Sequence, residues 1–328
     1  MTGIALLGAG FMASTHSAIY ATVAGAEVRV VCGLEEERVR ALAEPHGAEA
    51  TADWDAALAT PGVDAVDICL PTPLHRPVAE RALAAGKHVL LEKPVALTLE
   101  DADAIGAAAE ASGRLLMVGH VLRFMPEIAE LRRLVAAGEL GRPLAATAIR
   151  LSPPADWNDW MGDPARSGGT LVDLAIHDFD ILAELLGPAR RVIARGVAGG
   201  THVSALVEHE RGEATVEASH AMPPSYPFTA GLRVLCEGGV LEHRFVAGAG
   251  DEVSGEVVSV LGVHPREGEA RRSTTPGDPW QIQLEHFLDC VRDGVEPRDG
   301  SLAQARAALA VALAARASLA SGVPEAVG

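Results

Sequence analysis

The sequence predicts an α/β chain of two domains, a doubly wound parallel sheet followed by an α+β domain with a mixed or antiparallel sheet. Three observations carry this expectation. Over residues 1–119 short apolar runs alternate with helical patterns, the signature of βαβ units; over residues 120–328 the order changes to two helices and a series of strand-like stretches. At 328 residues the chain also exceeds what one hydrophobic core usually supports. The apolar share of 48% is carried largely by alanine and aromatics are only 4%, which suits alanine-rich helices packed on a sheet.

Four runs read as strands, Gly3 to Leu7, Glu27 to Cys32, Ala65 to Leu70 and His88 to Leu91, with a fifth at Leu115 to Val118. Helical patterns lie between them at Phe11 to Val23, Glu35 to Ala43, Pro77 to Ala85 and Leu99 to Ala111, several ending at a glycine that can close the last turn. Beyond them come a helix at Pro126 to Ala137, a strand at Leu144 to Leu151, a helix ending at Leu186 before Gly187-Pro188, and strand-like stretches from Arg191 to Arg244. The Gly-, Glu- and Pro-rich segment from Val246 to Pro279 reads as loop.

Charge and cysteine usage narrow the partners. A formal net charge of -17 repels phosphate backbones and anionic lipid headgroups, so neither nucleic acid nor a membrane is expected as a partner, and a small molecule or a protein is. Cys32, Cys69, Cys236 and Cys290 are far apart and form no CxxC pair, which suggests neither a disulfide framework nor a metal site and fits a cytoplasmic location. The N-terminus lacks the basic start of an export signal, and the apolar stretch Leu302 to Ala320 is interrupted by Gln304, Arg306 and Arg316, as in an amphipathic helix of a soluble domain.

Gly8-Ala9-Gly10-Phe11-Met12-Ala13 follows the first strand and opens a helix, matching the dinucleotide fingerprint GxGxxG/A in its required context. Glycine permits the tight turn and lets a diphosphate approach the N–H groups of the helix N-terminus. The acidic residue expected about 20 positions on, which would hold the adenosine ribose, falls at Gly33. Arg38 could then meet a 2'-phosphate, which tilts the expectation to NADP; in the competing reading Glu35 takes the ribose hydroxyls and Arg38 only solvates a helix face.

Further candidates end the third and fourth strands, at the sheet edge where such folds bind ligands. In Pro71-Thr72-Pro73-Leu74-His75, Pro71, Thr72 and His75 are candidate cofactor contacts, and for His75 a purely structural turn role fits equally. In Glu92-Lys93-Pro94, Lys93 is one of only two lysines and can stabilise a developing alkoxide, or can be a surface residue at a strand end; the Lys-Pro peptide is a candidate cis bond. On the helix after Ser167-Gly168-Gly169-Thr170, Asp173, His177, Asp180 and Glu184 recur at spacings of four, three and four. They share one face, either as a carboxylate orienting an imidazole or as an ordinary solvated face.

Taken together and in this order, the pieces resemble the Gfo/Idh/MocA family of glucose-fructose oxidoreductases and inositol dehydrogenases. The resemblance rests on GAGFMA at 8–13, AGKHVLLEKP at 85–94, GHVLRFMP at 119–126 and SGGTLVDLAIHDFD at 167–180, and it spans nearly the whole chain. It implies a Rossmann domain, a C-terminal domain whose open sheet builds homodimers or homotetramers, and catalysis at the cleft between them on a small polyhydroxylated substrate. It also implies that Lys93 is the catalytic lysine, that Asp173 and His177 are its DxxxH pair, and that Gly8, Gly10, Phe11, Met12, Ala13, Gly33, Arg38, Glu92 and Lys93 surround NAD(P). His120, Arg123, Trp157 and Trp160 are the expected substrate contacts, because an indole face packs on a sugar ring and an arginine donates to hydroxyls. Rival expectations are a non-enzymatic NAD(P)-binding sensor, and an enzyme whose bound cofactor is oxidised and reduced transiently during hydrolysis or elimination.

Overall fold

The computed structural model describes residues 1–154, 160–248 and 257–328. The chain divides into two compact units, Met1–Phe124 with Gly277–Arg306, and Met125–Pro276 with Ala307–Gly328. A single cut after residue 119 therefore does not describe it: the chain returns to the first unit near its C-terminus. The sequence shows that residues 279–293 are amphipathic, but not which core their apolar face joins.

In the first unit β1 (Thr2–Leu7), α1 (Phe11–Tyr20), β2 (Ala26–Cys32), α2 (Glu36–Ala43), β3 (Glu49–Thr51), α3 (Trp54–Ala59), β4 (Ala65–Ile68), α4 (His75–Ala84), β5 (His88–Glu92), α5 (Leu99–Ser112) and β6 (Leu116–Gly119) follow in order. The sheet runs β3-β2-β1-β4-β5-β6 and every pair is parallel. The central strands β1, β4 and β5 are buried on both faces, which is why they read as mostly apolar runs without alternation, Asp67 of β4 being an exception. β3 was not foreseen, since Glu-Ala-Thr at a sheet edge has no apolar run to mark it. α4 starts two residues ahead of the expected Pro77, because a proline in a first turn removes only an N–H that has no helical partner.

In the second unit α6 (Pro126–Ala136) and β7 (Pro143–Leu151) are followed by α7 (Pro164–Ser167), a wide turn at Thr170–Leu174 and α8 (Ile176–Leu186). The expected single helix from Thr170 is therefore split: the Ala175 N–H reaches back five residues to the Thr170 carbonyl, at 2.9 Å. β8 (Ala189–Val197), β9 (His202–His209), β10 (Gly212–Ser219), β11 (Phe228–Cys236), β12 (Gly239–Ala247), β13 (Val258–Pro265) and β14 (Arg271–Ser273) complete most of a sheet. α9 (Pro279–Asp293), α10 (Leu302–Ser321) and β15 (Glu325–Ala326) end the chain. The loop expected from Val246 to Pro279 holds β13 and β14, and in β13 Leu261 and Val263 alternate on the buried face.

The second sheet has nine strands in the order β14-β13-β12-β11-β7-β10-β9-β8-β15. β7 and β10 are parallel and the other pairs antiparallel, so the sheet is mixed, as expected. Period-two patterning gives it a buried face, with Val203, Ala205 and Val207 of β9 and Ala214, Val216 and Ala218 of β10. α10 is long and apolar enough to cross a membrane by those two measures alone, yet Ala308, Leu309, Val311, Ala312 and Ala315 are buried within the fold.

One polar contact on the buried face fixes α8. Arg150, in register with the buried Ala146 and Ala148, donates from Nε and Nη2 to the two carboxylate oxygens of Asp178, at 2.9 and 2.8 Å, and both side chains are withdrawn from water. A planar fork on a carboxylate fixes orientation as well as distance. Arg150→Met would strand the Asp178 charge, so the expected loss in stability is about 3–5 kcal/mol. Urea unfolding measures it, and a loss below about 1 kcal/mol would show that water reaches Asp178.

Candidate active site

The strand order of the first sheet has its switch point between β1 and β4: the chain winds outward to β3, then crosses back to β4 on the other side of β1. Ligands bind such folds beyond the carboxyl ends of the strands at that point. The turn after β1 lies there. Gly8 has a φ of +121°, and a side chain on it would meet the Cys69 carbonyl oxygen at 2.3 Å. Gly10 caps α1 with nothing within 4 Å of where a side chain would begin, no side-chain cap and no acid in the first turn. A helix N-terminus with room at its cap and no side chain or acid capping it fits the diphosphate of a dinucleotide. Ala13 is buried while Phe11 is exposed, so the fingerprint's last position serves packing.

At Gly33 a Cβ would approach a Val39 methyl to 3.0 Å and Ala9 to 3.5 Å. A side chain there would need the Val39 methyl to give by a few tenths of an ångström. The first carboxylate available is Glu35, the N-cap of α2, and its Oε1 accepts from Arg38 Nη1 at 3.1 Å. Both readings of this pocket thus involve the same exposed ion pair.

The turn after β4 sorts its candidates. Thr72 is buried and its hydroxyl has no partner among the described residues, so it can meet a ligand. His75 is fully buried with Nδ1 2.9 Å from the Pro94 carbonyl oxygen and Nε2 2.9 Å from that of Leu70. Burial holds this imidazole below its ordinary value, despite the carbonyls around it. A neutral ring carries one N–H, so His75 donates to one of these two carbonyls and only faces the other, which still makes it a tie between the Leu70-Pro71 turn and the residue after Lys93. The Lys93–Pro94 peptide is cis.

Lys93 is half-buried at the end of β5, and its N–H donates to Glu92 Oε2 at 3.2 Å. Glu92 belongs to a buried polar network that sequence reading missed. His16 Nδ1 is 2.8 Å from Asp67 Oδ2, Tyr20 donates to the same oxygen at 3.1 Å, and His16 Nε2 lies 3.7 Å from Glu92 Oε1. Asp67 interrupts an apolar strand, and that was the available signal. Together with Cys69, His16 and Asp67 form the trio of metal-type donors found among the described residues, within 4.8 Å. Their atoms are hydrogen-bonded to one another, which accounts for the cluster without an ion.

His120 is fully buried, and the buried Arg123 pairs with Asp299 at 3.2 Å. In the second unit Asp173 is buried in the wide turn and His177 is half-buried on the first turn of α8. Gly168 and Gly169 enter the turn with φ of +84° and +68°, and a side chain at 168 would strike Val172 at 2.5 Å. The face expected to run on to Glu184 breaks up: Glu184 Oε1 accepts from Arg132 Nε on α6, at 2.7 Å. The described partner of Asp173 is His220, whose Nε2 lies 3.4 Å from Oδ2. His220 stands alone after a strand, so no spacing pointed to it. Trp160 is half-buried in a turn, and Trp157 lies outside the described residues.

A switch-point glycine turn with an open helix N-terminus and a lysine at a neighbouring strand end define a dinucleotide-dependent oxidoreductase. The chain belongs to the Gfo/Idh/MocA family: residues 2–120 match its oxidoreductase family, NAD-binding Rossmann fold, and residues 128–242 its C-terminal domain. It is similar to the D-apiose dehydrogenase of Paraburkholderia graminis, 31% identical over 90% of this chain and 81% of that one. To the scyllo-inositol 2-dehydrogenase (NAD(+)) of Bacillus subtilis it is 29% identical over 98% and 94%. The solved UDP-N-acetylglucosamine 3-dehydrogenase of Acidithiobacillus ferrooxidans superposes with a TM-score of 0.80 at 28% identity, covering 98% of each chain. The chain is thus an NAD(P)-dependent oxidoreductase that transfers a hydride to or from a hydroxyl or carbonyl group of a sugar, cyclitol or related polyol.

The buried network carries a pH signature. Burial alone would depress the His16 imidazole, but the Asp67 charge and hydrogen bond, with Glu92 behind them, outweigh it and hold the ring above 6.5. A raised histidine contributes stability that is complete below 6.5 and lost as pH rises through the folded value. His16→Asn should therefore cost more stability at acidic than at alkaline pH. Urea midpoints of both proteins across that range check this, and a pH-independent difference would mean that the ring does not titrate.

Proposed function

We propose that Lys93, Asp173 and His177 are the groups that carry out the reaction, with His177 taking the hydroxyl proton of the substrate in oxidation and returning it in reduction. When bound, the nicotinamide supplies the hydride acceptor or donor. The Lys93 ammonium hydrogen-bonds the reacting oxygen, and Asp173 orients the imidazole. The observation that most supports these roles is the wide turn at Thr170–Leu174, which sets a buried carboxylate four positions ahead of a half-buried imidazole on a helix that Arg150 holds in place. A sensor needs no such proton-transfer pair. His177→Ala and Lys93→Ala should each lower turnover by roughly two orders of magnitude or more while coenzyme binding survives, and near-normal turnover in steady-state assays would refute the roles. Trp160 and Trp157 are proposed to pack on the substrate ring.

We further propose NADP ahead of NAD, on the strength of Gly33 and of Arg38 on the first turn of α2. The exposed Arg38–Glu35 pair is weak enough for a phosphate to displace Glu35. NAD is the second reading, favoured by Glu35 being the first carboxylate after β2 and able to take the ribose hydroxyls. Fluorescence titration with NADPH and NADH decides, and tighter NADH binding overturns the first. D-Apiose and other sugars, scyllo-inositol, myo-inositol, ketoses and dihydrodiols form the substrate panel; turnover without net change in the bulk coenzyme would point to transient oxidation instead. Cytoplasmic location fits four cysteines that are all free. Pairing into dimers or tetramers is proposed through the open face of the second sheet, where Ile149, Ile193 and Leu206 line a shallow depression.

A further inference from the structure

Asp173 has an imidazole beside it that belongs to a different element. His220 directly follows β10, and its Nε2 stands 3.4 Å from Asp173 Oδ2, with both side chains largely withdrawn from solvent. A single carbonyl holds the two together. The Thr201 carbonyl oxygen accepts from the His220 backbone N–H at 2.8 Å and from the Thr170 hydroxyl at 3.3 Å. Thr170 opens the wide turn that carries Asp173, so one oxygen ties the strand end bearing the ring to the turn bearing the carboxylate. The other ring nitrogen, Nδ1, is buried without a hydrogen-bond partner among the described residues. A carboxylate beside Nε2 selects the tautomer with its proton there, leaving Nδ1 as the unprotonated nitrogen.

We propose that His220 is a positioning residue for the hydride-transfer reaction: through Nε2–H it holds the Asp173 carboxylate in the orientation that serves His177. This rests on the roles given above to Asp173 and His177. A carboxylate in a turn can rotate about its last bond, and a donor on one oxygen restricts that rotation and leaves the other oxygen directed elsewhere. Contacts of this length in a ligand-free site commonly tighten when substrate is bound.

The test compares His220→Ala, His220→Gln and His177→Ala with the unaltered protein, on the most active member of the substrate panel and with saturating coenzyme. Glutamine offers an N–H at comparable reach. His220→Ala is expected to lower kcat about tenfold or more with KM changed less than about threefold, and His220→Gln to recover most of the loss. A kcat of His220→Ala within about twofold of the unaltered protein, with His177→Ala inactive, overturns the positioning role and leaves the proposed chemistry standing. An effect confined to KM, or a glutamine variant as impaired as alanine, also overturns it. Active His177→Ala would instead sink the proposed chemistry. Nitrogen-15 histidine spectra give a readout that needs no substrate: His220 should show the Nε2–H tautomer, and Asp173→Asn should disturb it. A His220 signal unchanged by Asp173→Asn overturns the pairing.

Discussion

The carbonyl of Cys69 passes so close to Gly8 that no side chain fits between them, and the coenzyme-binding half is arranged around that approach. It lets the turns after β1 and β4 lie side by side at the switch point. The cap at Gly10 and the buried Thr72 hydroxyl then lie on neighbouring turns at the strand ends. His75 extends the same arrangement sideways, because its ring is wedged between a carbonyl of the β4 turn and that of the residue after Lys93 and donates to one of them. Backbone proximity, rather than any single charge, is what sets the position of the lysine.

The second unit solves a comparable problem with charge. An ordinary helix through residues 170–186 would carry Asp173 and His177 on a uniform face, but the wide turn withdraws the carboxylate and starts α8 afresh at Ile176. A turn of that kind is poorly bonded by itself, so it needs external ties. Arg150 supplies one next to His177, Thr201 another at Thr170, and the paired glycines relieve the backbone at its entry. The first tie comes from strand β7 and the second from the turn that leads into β9.

Much of this was legible in the residues. The βαβ alternation, the glycine turn and the position of Lys93 follow from periodicity and from turn chemistry acting within a few residues. The wide turn was not legible, since Thr-Leu-Val-Asp-Leu carries a helical pattern and the extra residue shows only in which carbonyl Ala175 meets. The burial of His75 and Arg123 was not legible either, because it is decided by partners far away in the chain, such as Pro94 and Asp299. His220 and the Asp67 network were invisible for the same reason: long-range pairing gives an isolated polar residue no spacing to be recognised by.

The return of residues 277–306 to the first unit has a consequence for biosynthesis. Leu284, Phe287 and Leu288 of α9 sit in the same apolar cluster as Ile4, Leu6 and Val28. A ribosome that has released β1 to β6 has therefore not yet delivered all the side chains that their core requires. The amino-terminal half must wait, incompletely covered, while some 150 intervening residues are translated, and it closes only as the last helices emerge.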